Sequence, residues 1–245
     1  MKLTIGWLYP KQMSTYGDRG DILTIYQRCL WRGINVEVME IGLKENVTPG
    51  AVDFYFFGGG QDSAQIEVAK DLQRYKKKAL KEAAEEEAVF LSICGGYQLL
   101  GHYYKPHDGV ELPGVGIIDV FTISGDKRMI GNIMIESNVI IPQRNIVGFE
   151  NHSGKTFLGK NALSLGRVII GNGNNGEDRT EGAIQKNVFG CYLHGPVLPK
   201  NPGFADFLIE KALGRKHPEL KLKPLDDSLE ILANESAAER TRKNP

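Results

Sequence analysis

Continuous apolar runs alternate with helix-like segments through the first hundred residues. The predicted strands are residues 2–7, 35–41, 52–57 and 89–93. Helical periodicity covers residues 22–32 and the charged stretch 65–87, which holds two helices or one bent helix. Strands that are apolar at nearly every position are buried on both faces. The alternation therefore predicts a central, mostly parallel sheet with helices on both faces.

The second half of the chain is richer in short apolar runs and in glycine. The predicted strands are residues 115–122, 130–136, 146–149, 167–171, 182–184 and 188–193. A closing helix is predicted at residues 204–213. Because no linker-like stretch divides the chain, we expect one α/β domain over residues 1–214 with a strand-rich second half. A charged tail at residues 215–245 is expected to dock or to be partly ordered.

The charge balance narrows the range of partners. Lysine plus arginine and aspartate plus glutamate each number 30 among 245 residues, so the formal net charge is zero. This argues against nucleic acid or an anionic membrane as the main partner. No apolar run approaches the roughly 20 residues that span a bilayer, and the first run is too short for a signal peptide. We expect a cytoplasmic protein with no membrane insertion.

One of the three cysteines lies where a nucleophile is expected. The predicted strand 89–93 stops at Cys94, two glycines follow, and a helical pattern then begins. Such a tight turn lifts the side chain out of the sheet, and glycines leave room for a substrate carbonyl. The alternative is a cysteine packed at a strand end. Cys29 and Cys191 fall in apolar patterns and are expected to be structural; the spacing of the three predicts neither a metal site nor disulfides.

A cysteine nucleophile needs a base close to it in the fold. His194 follows the apolar run 188–193 and so stands at a strand end, as Cys94 does, which favours it as the base. His152 is expected in a loop, from which it lines the pocket or serves as the base instead. For either, the alternative is a loop histidine bonded to backbone. The remaining histidines are expected at the surface: His102, His107 and His217.

Three consecutive glycines end the third predicted strand, at residues 58–60. Backbone N–H groups near Gly60, together with that of Gly95, are expected to form an oxyanion hole, in which one donor contributes ~3–4 kcal/mol. A phosphate-binding loop is the competing interpretation, but the chain has no G-x-x-x-x-G-K-[ST] motif. A plain turn is the remaining alternative.

The elbow at Cys94, the glycine turn and the late strand ending in His194 together resemble class I glutamine amidotransferases, and most closely their cobyric-acid-synthase-like branch. The matching stretches are residues 93–98, 135–137, 148–152, 171–175 and 192–201, so the resemblance spans nearly the whole chain. It implies hydrolysis of L-glutamine through a γ-glutamyl thioester, with Cys94 as nucleophile and His194 as base. It also implies that Arg128 contacts the substrate; a planar guanidinium suits the α-carboxylate of glutamine.

The resemblance further implies a partner. Ammonia would pass to a Mur-ligase-like, ATP-dependent synthetase subunit, in a heterodimer that amidates the D-glutamate α-carboxyl of lipid II during peptidoglycan synthesis. No cofactor is expected in this chain. The alternatives are a cysteine peptidase or deglycase-type hydrolase acting alone, an ammonia donor to a different synthetase, and a non-catalytic subunit that regulates a partner.

One position departs from the pattern of the wider class. Most class I members carry a glutamate two residues after the histidine, where it orients the imidazole, but here Pro196 occupies that position. The residue that orients His194 is therefore missing or comes from elsewhere in the chain. Asp18 and Glu150 are the candidates.

Overall fold

Two β-sheets and their covering helices make up the computed structural model, which describes residues 1–107 and 109–243. The strands are β1 (Lys2–Leu8), β2 (Asn35–Ile41), β3 (Phe54–Phe57), β4 (Val89–Ile93), β5 (Tyr103–Lys105), β6 (Leu112–Pro113), β7 (Val120–Ser137), β8 (Asn145–Leu158), β9 (Gly166–Ile170), β10 (Thr180–Glu181), β11 (Ala183–Gln185) and β12 (Val188–Cys191). The helices are α1 (Arg19–Trp31), α2 (Asp62–Asp71), α3 (Lys77–Glu85), α4 (Gly95–Leu100), α5 (Pro202–Gly214) and α6 (Ser228–Lys243). A π-helical turn at Leu72–Lys76 joins α2 to α3, and a 3₁₀ turn spans Leu198–Lys200.

The first sheet has the strand order β11-β12-β4-β3-β1-β2. All neighbouring pairs are parallel except the edge pair β11–β12, so the predicted mostly parallel α/β sheet is confirmed. Strands β3, β4 and β12 are adjacent, and the glycine turn, Cys94 and the segment leading to His194 follow them directly. Since parallel strands end at one edge of a sheet, this order brings the three features together.

Helices cover both faces of this sheet, as the apolar patterns predict. In β3, Phe54 and Phe56 pack in the core that includes α1 and α5, whereas Tyr55 and Phe57 pack in the core that includes α2, α3 and α4. All four side chains are essentially inaccessible to solvent. None of the helices in the described part of the chain has the length and apolar character needed to cross a membrane.

The second sheet is largely antiparallel and is organised around the long β7–β8 hairpin. Its pairing shifts register between Ser124 and Met129, which marks a β-bulge in β7. An antiparallel bridge between Phe149 of β8 and His194 ties the hairpin to the edge of the first sheet, with N–H···O distances of 3.1 and 2.8 Å. The hairpin therefore lies beside the carboxyl ends of β4 and β12.

Two local predictions for this half of the chain are wrong. The predicted strands 115–122 and 130–136 form parts of one strand that begins only at Val120; the preceding Val115 instead donates its N–H to the Leu99 carbonyl at the end of α4, at 2.8 Å. His152 lies within β8 and not in a loop. In both cases a long hairpin continues through polar and glycine-containing stretches, where local sequence favours turns.

The charged tail contains a helix that the apolar pattern does not predict. Helix α6 packs through Ala238 against Met134 and Val147 of the β7–β8 hairpin. Its Asn234 side chain donates to the Lys200 carbonyl at 2.8 Å. The buried stripe of α6 is made of small and polar residues, so it carries little hydrophobic periodicity. The last two residues of the predicted tail segment, 244 and 245, lie outside the described residues.

The segment before α6 is held by a buried ion-pair network. Arg28 of α1 is 2 % exposed and donates to Asp206 at 2.7 Å and to Asp227 at 2.6 Å. Arg32 adds a second pair to Asp206 at 2.6 Å. Because a buried guanidinium needs its carboxylates, these contacts fix the course of the chain between α5 and α6.

Candidate active site

Cys94 lies at the sharp turn between β4 and α4, as the sequence predicts. Its backbone adopts φ 50° and ψ −109°, in a region that non-glycine residues occupy rarely and at a cost of about 1–3 kcal/mol. Its N–H donates to the Cys191 carbonyl at 2.8 Å, and its own carbonyl accepts the Gln98 N–H at 3.0 Å. A Cβ atom on Gly96 would come within 2.4 Å of the Phe57 carbonyl oxygen, so the turn requires glycine there. The turn presents the half-buried thiol at the edge of the sheet.

His194 stands beside Cys94 and is bonded to a buried carboxylate. Its Nδ1 donates to Asp18 Oδ1 at 3.1 Å, and both side chains are at most 1 % exposed. Its Nε2 is also buried and forms no hydrogen bond with a nitrogen or oxygen atom of the described residues. Burial lowers the pKa of His194, but Asp18 and Cys94 outweigh that effect and raise the pKa to about 10. Both neighbours therefore favour the protonated form of the imidazole.

Asp18 takes the orienting position that the sequence leaves open. Its second oxygen, Oδ2, accepts the N–H of Gly59 at 2.7 Å, so one carboxylate joins the histidine to the glycine turn. Asp18 directly precedes α1, and the first turn of that helix packs against the segment after His194. A Cβ atom on Gly20 would lie 2.3 Å from Pro196 Cγ, so glycine there lets Pro196 pack against the helix.

Glu150, the other candidate for orienting His194, forms its hydrogen bonds with a different segment of the chain. Its carboxylate accepts the backbone N–H and side-chain amide of Asn172 at 2.8 and 2.6 Å, and the N–H of Gly173 at 2.9 Å. These bonds hold the loop after β9. Glu150 does not bond to His194, and the orienting role suggested for it is wrong.

A cavity of about 560 Å³ opens beside Cys94 and is lined by both sheets. The edge of the first sheet and its loops contribute Cys94, Gly60, Gln61, Gln65 and Gln98. The β7–β8 hairpin contributes Arg128, Asn151, His152 and Gly154, and the loop before α1 contributes Tyr16. Among the predicted site residues, Cys94, Gly60 and Arg128 therefore share one cavity.

Arg128 lies in the bulged part of β7 and is exposed at this cavity. Its Nε donates to Asn151 Oδ1 at 2.5 Å, and its Nη2 lies 3.4 Å from the Tyr16 hydroxyl. No carboxylate within residues 1–107 and 109–243 forms an ion pair with it. Neutral partners thus hold the guanidinium while its charge stays available for an anionic ligand.

Tyr16 connects Arg128 to the histidine and has no sequence signal of its own. Its ring meets the His194 ring edge-on at a centroid distance of 4.8 Å, and its hydroxyl accepts from the Asn151 side chain at 2.9 Å. Its backbone has φ 55°, followed by Gly17 at φ 81°. Tyr16 therefore covers one side of the histidine and also lines the cavity.

His152 lines the same cavity but lacks the features of a base. Its Nδ1 donates to the Gly154 carbonyl at 2.8 Å, and its ring stacks on Tyr192 at a centroid distance of 3.5 Å. Burial lowers its pKa to about 4, so the ring is neutral at physiological pH. No acidic side chain in the described residues bonds to it. Of the two histidines, only His194 is paired with a carboxylate.

The glycine turn offers fewer backbone donors than its sequence suggests. The Gly59 N–H is already bonded to Asp18. The N–H groups of Gly60, Gln61 and Gly95 donate to no atom of the described residues. Gly60 and Gln61 line the cavity, and Gly95 directly follows Cys94. Three N–H groups near Cys94 thus remain without an acceptor in the described residues.

The other two cysteines and the three histidines expected at the surface do not line this cavity. Cys29 and Cys191 are fully buried; burial raises the pKa of Cys29 to about 12 and also raises that of Cys191. Both thiols therefore stay protonated. The histidines expected at the surface are exposed there: His102, His107 and His217.

Comparisons with known proteins agree with this geometry. Residues 4–202 match the CobB/CobQ-like glutamine amidotransferase domain. One relative is the lipid II isoglutaminyl synthase (glutamine-hydrolyzing) subunit GatD of Staphylococcus aureus (strain N315). The two sequences are 43% identical over 242 residues, which cover 99% of this chain and 97% of the relative. The chain is 39% identical over 240 residues, 97% of its length and 90% of the relative's, to the subunit of the same name from Streptococcus pneumoniae. A solved glutamine amidotransferase structure covers 84% of this chain and 98% of its own, with a TM-score of 0.59 and 17% identity, and so supports the fold alone.

Proposed function

The chain belongs to the CobB/CobQ-like glutamine amidotransferase family, and from this premise we propose that it is the glutamine-hydrolysing subunit of a lipid II isoglutaminyl synthase. It hydrolyses L-glutamine and supplies ammonia for amidation in peptidoglycan synthesis. Two relatives named for that activity match it over nearly the full chain. The observation that carries the chemistry is the buried Asp18–His194 pair beside Cys94, at the edge of the parallel sheet.

Glutamine binds with its α-carboxylate toward Arg128 and its side-chain amide toward Cys94. The exposed guanidinium, which no carboxylate of the described residues neutralises, supports the first contact. The amide carbon then lies near the sulfur, and its oxygen lies near the N–H groups around Gly60 and Gly95. In this orientation the hairpin binds the α-carboxylate of glutamine, and the side-chain amide bond is cleaved at the edge of the parallel sheet.

The reaction proceeds in two halves. The Cys94 thiolate attacks the amide carbon, and the N–H groups near Gly60 and Gly95 stabilise the oxyanion of the tetrahedral intermediate. His194, protonated because Asp18 and the sulfur raise its pKa, gives its proton to the nitrogen as the C–N bond breaks and ammonia leaves. The neutral His194 then takes a proton from water, which attacks the thioester, releases L-glutamate and restores the thiolate.

Ammonia then passes to a partner subunit that activates the acceptor. The names of the two relatives describe one subunit of a synthase, which supports a heterodimer. We propose that the partner is a Mur-ligase-like, MurT-type synthetase, which spends ATP to amidate the D-glutamate α-carboxyl of lipid II. No G-x-x-x-x-G-K-[ST] motif occurs in this chain, which supports such a division.

The direct test is reconstitution with the partner. The chain is purified from its native cell, the co-purifying subunit is identified by mass spectrometry, and the complex is supplied with ATP, lipid II and amide-¹⁵N-labelled L-glutamine. We expect a Mur-ligase-like companion and transfer of ¹⁵N into the stem peptide. A different synthetase would redirect the pathway while leaving the glutaminase intact, and turnover of peptides without any glutamine hydrolysis would overturn the proposal.

A further inference from the structure

Gln65 of α2 lines the cavity beside Cys94 and contacts both segments that carry the predicted oxyanion donors. Its side chain is 3 % exposed, and its Nε2 donates to the Gly60 carbonyl at 3.1 Å. The same amide packs against Gly95: a Cβ atom added to that glycine would come within 2.6 Å of Nε2. One side chain therefore touches both segments that carry the predicted oxyanion donors.

The hydrogen bond to Gly60 fixes a peptide direction. In a planar trans peptide the C=O and the following N–H point in opposite directions. Because the Gly60 carbonyl points to Gln65, the N–H of Gln61 points away from it. Both Gly60 and Gln61 line the cavity. Asp18 and Thr15 bond to Gly59 in the same turn, and Gln65 bonds to the next carbonyl, that of Gly60.

The other half of the Gln65 amide is unsatisfied. Its Oε1 is buried and has no hydrogen-bond partner among the described residues. A buried carbonyl without a partner destabilises a protein, whereas an apolar side chain of the same shape avoids that cost. The hydrogen bond that stabilises a glutamine at this position is the one that its Nε2 makes with the glycine turn.

We propose that Gln65 is a positioning residue that holds the oxyanion hole in its working geometry. The inference rests on the proposed glutaminase function and adds a residue to it. Gln65 acts through the Gly60–Gln61 peptide and through Gly95, and it takes no part in proton transfer. Its contribution is therefore made in the transition state, when charge develops on the amide oxygen, and not when glutamine binds.

The test is steady-state glutamine hydrolysis by Gln65→Met, in the full chain with its partner subunit. Removing one oxyanion donor lowers kcat by about 10²–10³, and a misdirected donor loses part of that, so we expect a fall of at least about tenfold. KM for glutamine stays within about threefold, since a transition-state interaction is lost.

Gln73→Met is the matched control: Gln73 also donates to backbone carbonyls, at 3.0 and 2.8 Å, but lies outside the cavity. Its kcat should match that of the unmodified chain.

A second variant tests the positioning role of Gln65 if Gln65→Met folds poorly. Gln65→Glu keeps the side-chain shape but donates to the Gly60 carbonyl only when the introduced carboxyl is protonated. Its kcat relative to the unmodified chain should therefore rise as the pH falls toward the pKa of that carboxyl. An unchanged kcat in Gln65→Met, an equal loss through KM, or a pH-independent ratio in Gln65→Glu would overturn the proposal. If the unmodified complex fails to hydrolyse glutamine, the proposed function fails instead.

Discussion

The edge of the parallel sheet and the long β7–β8 hairpin line one cavity but are built differently. At the sheet edge, Asp18 and His194 are buried, hydrogen-bonded to each other and tied to the glycine turn. On the hairpin, Arg128 is exposed in a bulge and held by the neutral side chains of Asn151 and Tyr16. The two regions meet at the bridge between Phe149 and His194.

The buried sheet edge suits proton transfer, whereas the exposed hairpin suits the binding of a charged substrate. A proton-transfer group needs a fixed position and a strongly perturbed pKa, which burial and a carboxylate provide. A group that captures a charged substrate from water needs accessibility and an uncompensated charge. We therefore expect changes at the sheet edge to lower kcat and changes on the hairpin to raise KM.

The largest effect should come from His194→Ala. Loss of a positioned general acid and base lowers kcat by about 10²–10⁴. His152→Ala is the comparison within the same cavity, and its kcat should fall far less, because its neutral ring has no carboxylate partner in the described residues. Steady-state ammonia release measures both. If His152→Ala is the inactive variant, the assignment of the base is wrong.

Asp18→Asn should produce the next largest effect. Without the carboxylate the pKa of His194 falls, and we expect kcat to drop about tenfold or more. His194 must be protonated to release ammonia, so its raised pKa of about 10 keeps the enzyme active to high pH. The basic limb of the kcat/KM profile should therefore move to lower pH in the variant. An unmoved limb would mean that Asp18 does not set the protonation of His194.

Arg128→Ala should have the smallest effect on turnover and a clear one on binding. A charge-assisted hydrogen bond contributes about 1.5–3 kcal/mol, so KM for glutamine should rise roughly 10- to 100-fold with kcat within a few-fold. Arg144→Ala is the control, since Arg144 lies near the same hairpin but pairs with Glu136 at 2.8 Å. Equal KM values for the two variants would mean that Arg128 is a surface arginine that does not bind glutamine.

The two regions also differ in how well the sequence predicts them. Parallel strands bury continuous apolar runs, and the ends of those runs suffice to place Cys94 at a strand end. The predicted strand before His194 is too long, because β12 ends at Cys191, three residues before the histidine. Arg128 is indicated only by the family resemblance, because a bulge in a long hairpin has no simple periodicity. His152 is placed in a loop by its polar neighbours, although pairing with β7 makes it part of a strand.

The carboxylate partner of His194 illustrates the limit of local patterns. The bond between Asp18 and His194 spans 176 positions in the chain, and no spacing rule connects them. The proline at 196 indicates only that the usual glutamate is absent. The packing of Pro196 on Gly20 shows how the first turn of α1 reaches the histidine, and such packing follows from the tertiary structure.

The central claim is that Cys94 carries the glutamyl group during turnover. Acid quenching of the enzyme during steady-state turnover, followed by proteolysis and mass spectrometry, tests it directly. We predict a glutamyl adduct on the peptide containing Cys94, lost in Cys94→Ala together with all glutamine hydrolysis, while Cys29→Ala retains both. Glutamine hydrolysis that persists in Cys94→Ala, or an adduct on another residue, would contradict the account.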